Sequence, residues 1–438
     1  MEIIPHAGFS LFSFIRAIPG ILILILISYI ISIDRKNIPW RTVITAFTAQ
    51  LLIGICILKV PLVKIFFEKI GEIFIAIIDS TTAGTSFLFG SIINNKEYVF
   101  ALNVLPIIIF FSALTSVLYY FGIIQKIVGG FAFLLKNLVK ISGAESLSLT
   151  GNVFLGQTEA PLLIKKYLSK MNHSEIYTVM IGGMATIAGS VMAGYIGFLG
   201  GEDPIEKMNV TKNLLAASVM AAPGAVAIAK IIVPNPKKIL NDEVSIHEDK
   251  SNQNILDAIT NGTLQGLKLA FNVGALLLVF IALLALLNKL LFFLGDFSNL
   301  NLVIQQNTNY QELSLEFILG FILAPIMWII GVAKEDITLM GQLLGIKIAA
   351  NEFLGYVYLS DLKNTLNPIH LLYEKSIIMA TFMLCGFANF QSIAIQIGGL
   401  GSLAPNKIKV ISKYGFKAVI GGTIVSLISA TFAGMILG

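Results

Sequence analysis

The sequence predicts an all-α polytopic membrane protein with about eight transmembrane helices, two re-entrant hairpins and interfacial helices in an inverted repeat. Three observations predict it. First, 56% of the 438 residues are hydrophobic and 13% are charged, against about 25% charged in soluble domains. That is too little charge to cover a water-soluble particle of this length; mean hydropathy is +0.84. Second, apolar runs recur at the length of about 20 residues that a bilayer crossing needs. Third, two segments are too interrupted by polar residues and glycine to cross as ordinary helices.

The expected crossings are Phe12–Ile33, Thr42–Leu58, Tyr98–Tyr120, Ile176–Leu199, Leu214–Val233, Leu269–Leu294, Ser376–Leu400 and Ala418–Leu437. Basic loops orient them. Arg35, Lys36 and Arg41 put the first loop in the cytoplasm and the N-terminus outside. The acidic loop Gly200-Gly201-Glu202-Asp203 falls outside, and the loop with Lys237 and Lys238 inside. Leu290 to Ala333, without Lys or Arg, falls outside, and Lys407, Lys409, Lys413 and Lys417 inside. Val60–Phe89 reads as an interfacial helix, with charges interleaved among apolar residues at helical spacing. Ile123–Lys140 and Asn254–Lys268 read likewise, and Leu313–Ile330 is a more apolar version interrupted by Pro325. Pro234–Gln253 is a polar connector.

Composition also narrows the function classes. The net charge of +5 is spread over short loops, unlike the concentrated basic face of a nucleic-acid binder. Cys56 and Cys385 both lie in apolar stretches, so no disulfide framework is indicated. The first apolar run starts late and lacks a small-residue cleavage site, so a cleaved signal peptide is not expected. No phosphate-binding G-x-x-x-x-G-K-[ST] signature occurs, so ATP hydrolysis is unsupported. His6, His173, His247 and His370 fall in loops or at segment ends without metal-ligand spacing and read as surface residues.

The interrupted segments carry the chemistry. In Ser146–Lys165 an apolar half-helix of about a dozen residues rises only about 18 Å before Gly156-Gln157-Thr158-Glu159-Ala160-Pro161 turns it back. In Gly341–Leu359 the turn is Asn351-Glu352. The loop charges make the first enter from the cytoplasm and the second from outside. Each precedes a span that is itself broken, at Gly182–Ser190 and at Cys385–Ser392, and then a closing span. Broken helices at matching places in two inverted halves point to the midplane site of a secondary transporter. Ionisable residues at that depth are functional by default, which singles out Glu159 and Glu352. Gln157, Thr158, Asn389 and Ser392 add neutral donors and acceptors. Such a set suits an uncharged, multi-hydroxyl or heteroaromatic solute, because one carboxylate accepts from two hydroxyls; no Arg is near to favour an anion. Ion coupling is the natural energy source, and Asn152, Thr186 and the carbonyls near Leu155 and Ile187 supply oxygens for a small hard cation. The alternative from another class is an intramembrane enzyme using Glu159 and Glu352 as acid and base, which lacks a nucleophile or metal set beside them.

At these residues the chain resembles the concentrative nucleoside transporter family, in its bacterial sodium-coupled form. Gly156-Gln157-Thr158-Glu159-Ala160-Pro161 is similar to the family's first hairpin signature, and Gly345-x-Lys347-x-x-x-Asn351-Glu352-Phe353 to its second. Cys385-Gly386-Phe387-Ala388-Asn389 is similar to a third block. The resemblance implies a sodium-coupled nucleoside symporter of the inner (plasma) membrane, with membrane lipid around it, no cofactor, and no nucleic-acid partner. It implies a homotrimer in which a transport domain moves against a scaffold. In that division residues 1–120 are N-terminal scaffold, 121–233 the first transport repeat, 234–312 connector and scaffold span, and 313–438 the second repeat. Gln157, Thr158 and Glu159 would face the nucleobase, and Glu352, Asn389 and Ser392 the ribose, with Val191 and Phe387 as apolar walls. Sodium would use Asn152, Thr186 and the carbonyls of Leu155 and Ile187; Thr186 stands where the family more often has Ser. A proton-coupled nucleoside symporter is the alternative of the same class. Lys347 is expected to pair with a carboxylate or to snorkel, away from the solute.

Overall fold

A computed structural model describes residues 3–6, 8–90, 99–201, 203–235 and 253–437. Tyr98, Glu202, Lys237, Lys238, His247 and all of the expected connector but its ends lie outside the described residues.

Polar side chains set where the helices start. Ser10 caps α1 (Leu11–Ile30), Asp203 caps α9 (Pro204–Ile232) and Asn254 caps α10 (Ile255–Phe297). Reciprocal capping boxes, Ser142 with Glu145 and Asn172 with Glu175, open α6 (Gly143–Phe154) and α7 (His173–Ala185). Each such cap stabilises its helix by about 1 kcal/mol. Between them run α2 (Trp40–Lys59), α3 (Pro61–Phe89), α4 (Leu105–Tyr120), α5 (Ile123–Val139) and α8 (Gly189–Leu199). The second half comprises α11 (Leu315–Ile329), α12 (Ile337–Ala349), α13 (Glu352–Lys363), α14 (Glu374–Leu384), α15 (Phe390–Leu403) and α16 (Ile408–Leu437).

Seven of the expected crossings are met by helical stretches long and apolar enough to span a membrane. The eighth, Ser376–Leu400, is divided between α14 and α15 at the break that the glycine and polar residues predict. Ile176–Leu199 is likewise divided, between α7 and α8. Asn254–Lys268 departs from the expected interfacial helix. This is no separate interfacial helix but the first third of α10, a single helix of 43 residues. Its small residues explain the continuity. A Cβ on Gly262 would lie 2.6 Å from Ser116 Cβ, and one on Gly266 2.8 Å from Ile109 Cα, so α10 packs backbone to backbone along α4. Close approach through glycine is how apolar helices associate where lipid removes the hydrophobic drive.

The buried centre includes α6, α7, α8, α9, α14 and α16, whereas α1 and α10 leave most of their apolar side chains exposed and α4 is mostly half-buried. The helix α9 also fixes the direction of both hairpins. Near its C-terminal end Lys230 Nζ binds Glu145 Oε1 at 2.5 Å, at the start of α6. Near its N-terminal end Glu206 pairs with Lys363, at the end of α13. A helix of 29 residues is about 43 Å long. The two hairpin bases are therefore pinned to opposite ends of one helix, and the two turns point toward each other.

Candidate functional site

The turns meet through a chain of hydrogen bonds. Asn351 caps α13 by accepting from Leu354 N at 2.9 Å, which puts Glu352 in the first turn, where a negative charge is favoured by the helix dipole. Glu352 is buried, and each of its carboxylate oxygens accepts one bond. Tyr195 Oη donates to Oε1 at 3.1 Å and Asn389 Nδ2 to Oε2 at 2.9 Å. Asn389 in turn caps α15, its Oδ1 accepting from Ser392 N at 2.9 Å. Ser392 Oγ accepts from Gln157 Nε2 at 3.2 Å, and Gln157 Oε1 accepts from Gln396 Nε2 at 3.1 Å. Gln396 is anchored on Met180 O at 2.9 Å. Six buried polar side chains, Tyr195, Glu352, Asn389, Ser392, Gln157 and Gln396, thus connect the second turn to the first across the break of the second half.

Glu159 does not join this chain. Its Oε2 accepts only a long bond from Gly156 N, 3.4 Å, and the side chain lines a cavity of about 110 Å³ with Ser112, Ser116, Leu155, Ser190 and Gln265. Thr158 is exposed beside Gly399. Val191 is buried one residue past Ser190, and Phe387 is half-buried within the break, where its carbonyl accepts from Asn389 N at 2.9 Å. Of the eight residues expected around the solute, Gln157, Glu352, Asn389 and Ser392 are brought into bonded contact. Glu159, with the neighbouring Ser190, fronts the adjoining cavity.

Asn152 and Thr186 converge at the paired C-termini of α6 and α7. Thr186 Oγ1 donates to Gly182 O at 2.9 Å, and a Cβ on Gly182 would lie 3.7 Å from Asn152 Nδ2. Asn152 Nδ2 donates to Ser148 O at 2.9 Å, which leaves its buried Oδ1 without a partner; Ser148 Oγ is also buried and unpartnered. An orphaned amide oxygen in a protein interior costs stability unless something fills it. Leu155 and Ile187, whose carbonyls complete the expected oxygen set, are buried just past the two helix ends, where the chain turns extended at Leu155 and Thr186. The donor set fits a small hard cation.

Two members of the chain were missed from sequence. Tyr195 stands four residues after Val191 on α8, and Gln396 four after Ser392 on α15. Residues at that spacing share a helix face, so each was within reach of a residue already named. Lys347 neither pairs with a carboxylate nor snorkels. It is fully buried, and its Nζ donates to Met383 O at 2.8 Å and to Ser426 Oγ at 3.3 Å. His370 is half-buried rather than on the surface, with Nδ1 against Asn367 O at 2.9 Å.

Two inverted hairpins, two broken helices and a bonded polar chain between them define a secondary transporter in the membrane. Residues 213–434 match the family model described as the C-terminus of the Na+ dependent nucleoside transporter, 19–92 match its N-terminus, and 101–202 match the model described as nucleoside recognition. The nucleoside permease NupC of Helicobacter pylori is 40% identical over 443 residues, covering 98% of this chain and 99% of that protein. The sodium/nucleoside cotransporter 1 of Mus musculus is 36% identical over 428 residues, 95% of this chain and 63% of the mouse protein. The solved structure of CNTnw in an inward-facing substrate-bound state superposes with a TM-score of 0.87 at 35% identity, covering 97% of this chain and 98% of that one. The chain belongs to the concentrative nucleoside transporter family. It is a multi-pass membrane transporter and not an enzyme.

Proposed function

We propose that the chain is a sodium-coupled nucleoside symporter of the plasma membrane, oriented with its N-terminus outside. The observation that carries this reading is the bonded chain from Glu352 to Gln157. Each carboxylate oxygen of Glu352 uses one lone pair on Tyr195 or Asn389 and keeps acceptor capacity for a further donor. Two adjacent ribose hydroxyls present donors at that spacing, and Asn389 and Ser392 flank them. The nucleobase then lies toward the first turn, where Gln157, Thr158 and Glu159 offer both donors and acceptors, with Val191 and Phe387 as walls.

The unpartnered Oδ1 of Asn152 supports sodium as the coupling ion, held with Thr186 Oγ1 and the carbonyls of Leu155 and Ile187. Leu155 is the residue before Gly156, so an ion there braces the turn that carries Gln157 to Glu159 and improves it for solute. That is coupling in thermodynamic terms: each ligand raises the affinity of the other. Transport follows by alternating access, with residues 121–233 and 313–438 moving against a scaffold of 1–120 and 234–312 assembled as a homotrimer. The largely exposed apolar surfaces of α1 and α10 supply the lipid and subunit contacts for such a scaffold.

The test is uptake of radiolabelled uridine into proteoliposomes, with a panel of nucleosides as competitors. Uptake is expected to need an inward sodium gradient and to collapse in choline. Uptake that follows a pH gradient and ignores sodium would make the ion a proton, and no uptake of any common nucleoside would overturn the reading.

A further inference from the structure

The two halves treat their paired helix ends differently, and the difference is a charge. In the first half α6 is capped at Leu155 and α7 at Thr186. In the second, α12 is capped at Ala350 and α14 at Cys385. Matched at these caps, Thr186 corresponds to Cys385. Asn152, three residues before its cap, corresponds to Lys347, three residues before its own. In both pairs the last turns lie side by side, at Asn152 and Gly182 in the first and at Lys347 and Met383 in the second, and such ends concentrate free acceptors and partial negative charge. The first pair holds neutral Asn152 with an unfilled Oδ1. The second holds the Lys347 ammonium, which donates to Met383 O in the last turn of α14 and to Ser426 Oγ, itself a donor to Cys385 O at 3.0 Å. No carboxylate of the described residues lies within ion-pair distance of Lys347, and Glu352 acts on it only at longer range; the acceptors that its ammonium touches are neutral oxygens, as a bound cation's would be.

From this geometry we infer that the Lys347 ammonium is a tethered cation, standing in the second half where sodium binds in the first. It rests on the sodium-coupled reading above. The second helix pair is then permanently filled, and only the site at Asn152 loads and empties in each cycle. The fold supplies two related cation positions, and this sequence leaves one of them exchangeable.

The test reads sodium binding without transport. An ion bound only by the folded protein stabilises it in proportion to the logarithm of its concentration, with a slope set by the number of ions bound. Purified protein is unfolded thermally across a series of NaCl concentrations, with choline chloride holding ionic strength constant. Lys347→Asn, which puts the side chain of position 152 at its counterpart, is expected to give about twice the wild-type slope. Lys347→Met, of similar length without charge or acceptor oxygen, is expected to keep the wild-type slope. A wild-type slope in Lys347→Asn, or a doubled slope in Lys347→Met, overturns the inference. If Lys347→Asn yields no folded protein, the reciprocal Asn152→Lys decides. Uridine binding that no longer needs sodium supports the tethered cation; binding that still needs it, or is lost in both salts, overturns it. A wild-type protein indifferent to sodium overturns the coupling reading and this inference with it, whereas a normal wild-type response with an unchanged Lys347→Asn slope sinks the inference alone.

Discussion

Each of the two turns presents one carboxylate, and the fold treats the two in opposite ways. Glu352 is held on both oxygens, by Tyr195 and Asn389, at the start of a capped helix. Glu159 has one long bond to its own turn and faces a small cavity. Asn351 begins a regular helix directly, whereas the first turn continues into a short 3-10 stretch, Ala160–Ile164, with Pro161 near its start. Proline lacks the N–H that a regular helix would use. The second turn is thus set before any solute arrives and the first retains freedom. A rigid reader suits the ribose, common to all nucleosides, and an adjustable one suits the base, which varies.

The comparison breaks most sharply at Glu352. Glu352→Gln keeps the shape but turns one acceptor oxygen into a donor, so it faces either Tyr195 Oη or Asn389 Nδ2 as a like group. Hydrogen bonds to a charged group contribute about 1.5–3 kcal/mol each, and losing one with its ribose partner lowers uptake by roughly 100-fold. The measurement is initial-rate uridine uptake in proteoliposomes at matched protein density. Loss of less than about tenfold would mean that the second turn is no more committed than the first.

Next in size is the joint between the halves. Gly386 has φ +126, and a Cβ there would lie 2.8 Å from the carbonyl oxygens of both Met184 and Ala185. The break of the second half therefore leans on the end of α7 in the first. Gly386→Ala combines backbone strain with a clash against main-chain atoms that have no rotamer to adopt, and costs about 1–3 kcal/mol. Thermal unfolding in detergent measures it. An unchanged midpoint would show the halves to be independent at this point, and the fixed geometry of Asn389 would need another source.

Much of this was legible in the sequence because polarity inside apolar runs is rare enough to be read directly. Gly156 to Pro161, Asn351-Glu352 and Cys385 to Asn389 interrupt helices at the places where the structure breaks them. Less legible was anything that depends on which neighbour a face meets. The polar residues of Asn254–Lys268 suggested an interfacial helix, yet Gly262 and Gly266 fit α4 closely enough to carry one helix through. Lys347 looked like a snorkelling residue, because nothing local tells that carbonyl oxygen from another element awaits its ammonium. Tyr195 and Gln396 stand one turn from Val191 and Ser392, and periodicity gives a shared face without saying what that face binds.

The smallest effect separates neighbours within the first turn. Gln157 is buried and bonded to both Ser392 and Gln396, whereas Thr158 is exposed, with only its methyl side near Gly399. Thr158→Ala removes a hydroxyl that has no hydrogen-bond partner among the described residues, so the resting fold loses nothing. Any cost arises from a contact made with the base, and one neutral hydrogen bond is worth about 1 kcal/mol. Thr158→Ala is therefore expected to weaken nucleoside competition by no more than about fivefold, with an unchanged unfolding midpoint. Gln157→Ala is expected to lose more and to lower the midpoint, because it leaves Gln396 without its side-chain partner. Inhibition constants for a purine and a pyrimidine nucleoside sharpen the result. A Thr158→Ala penalty that differs between them shows the free turn reading the base. An equal penalty above tenfold would mean that the turn closes on every solute alike, and the contrast between a fixed and an adjustable hairpin would fall.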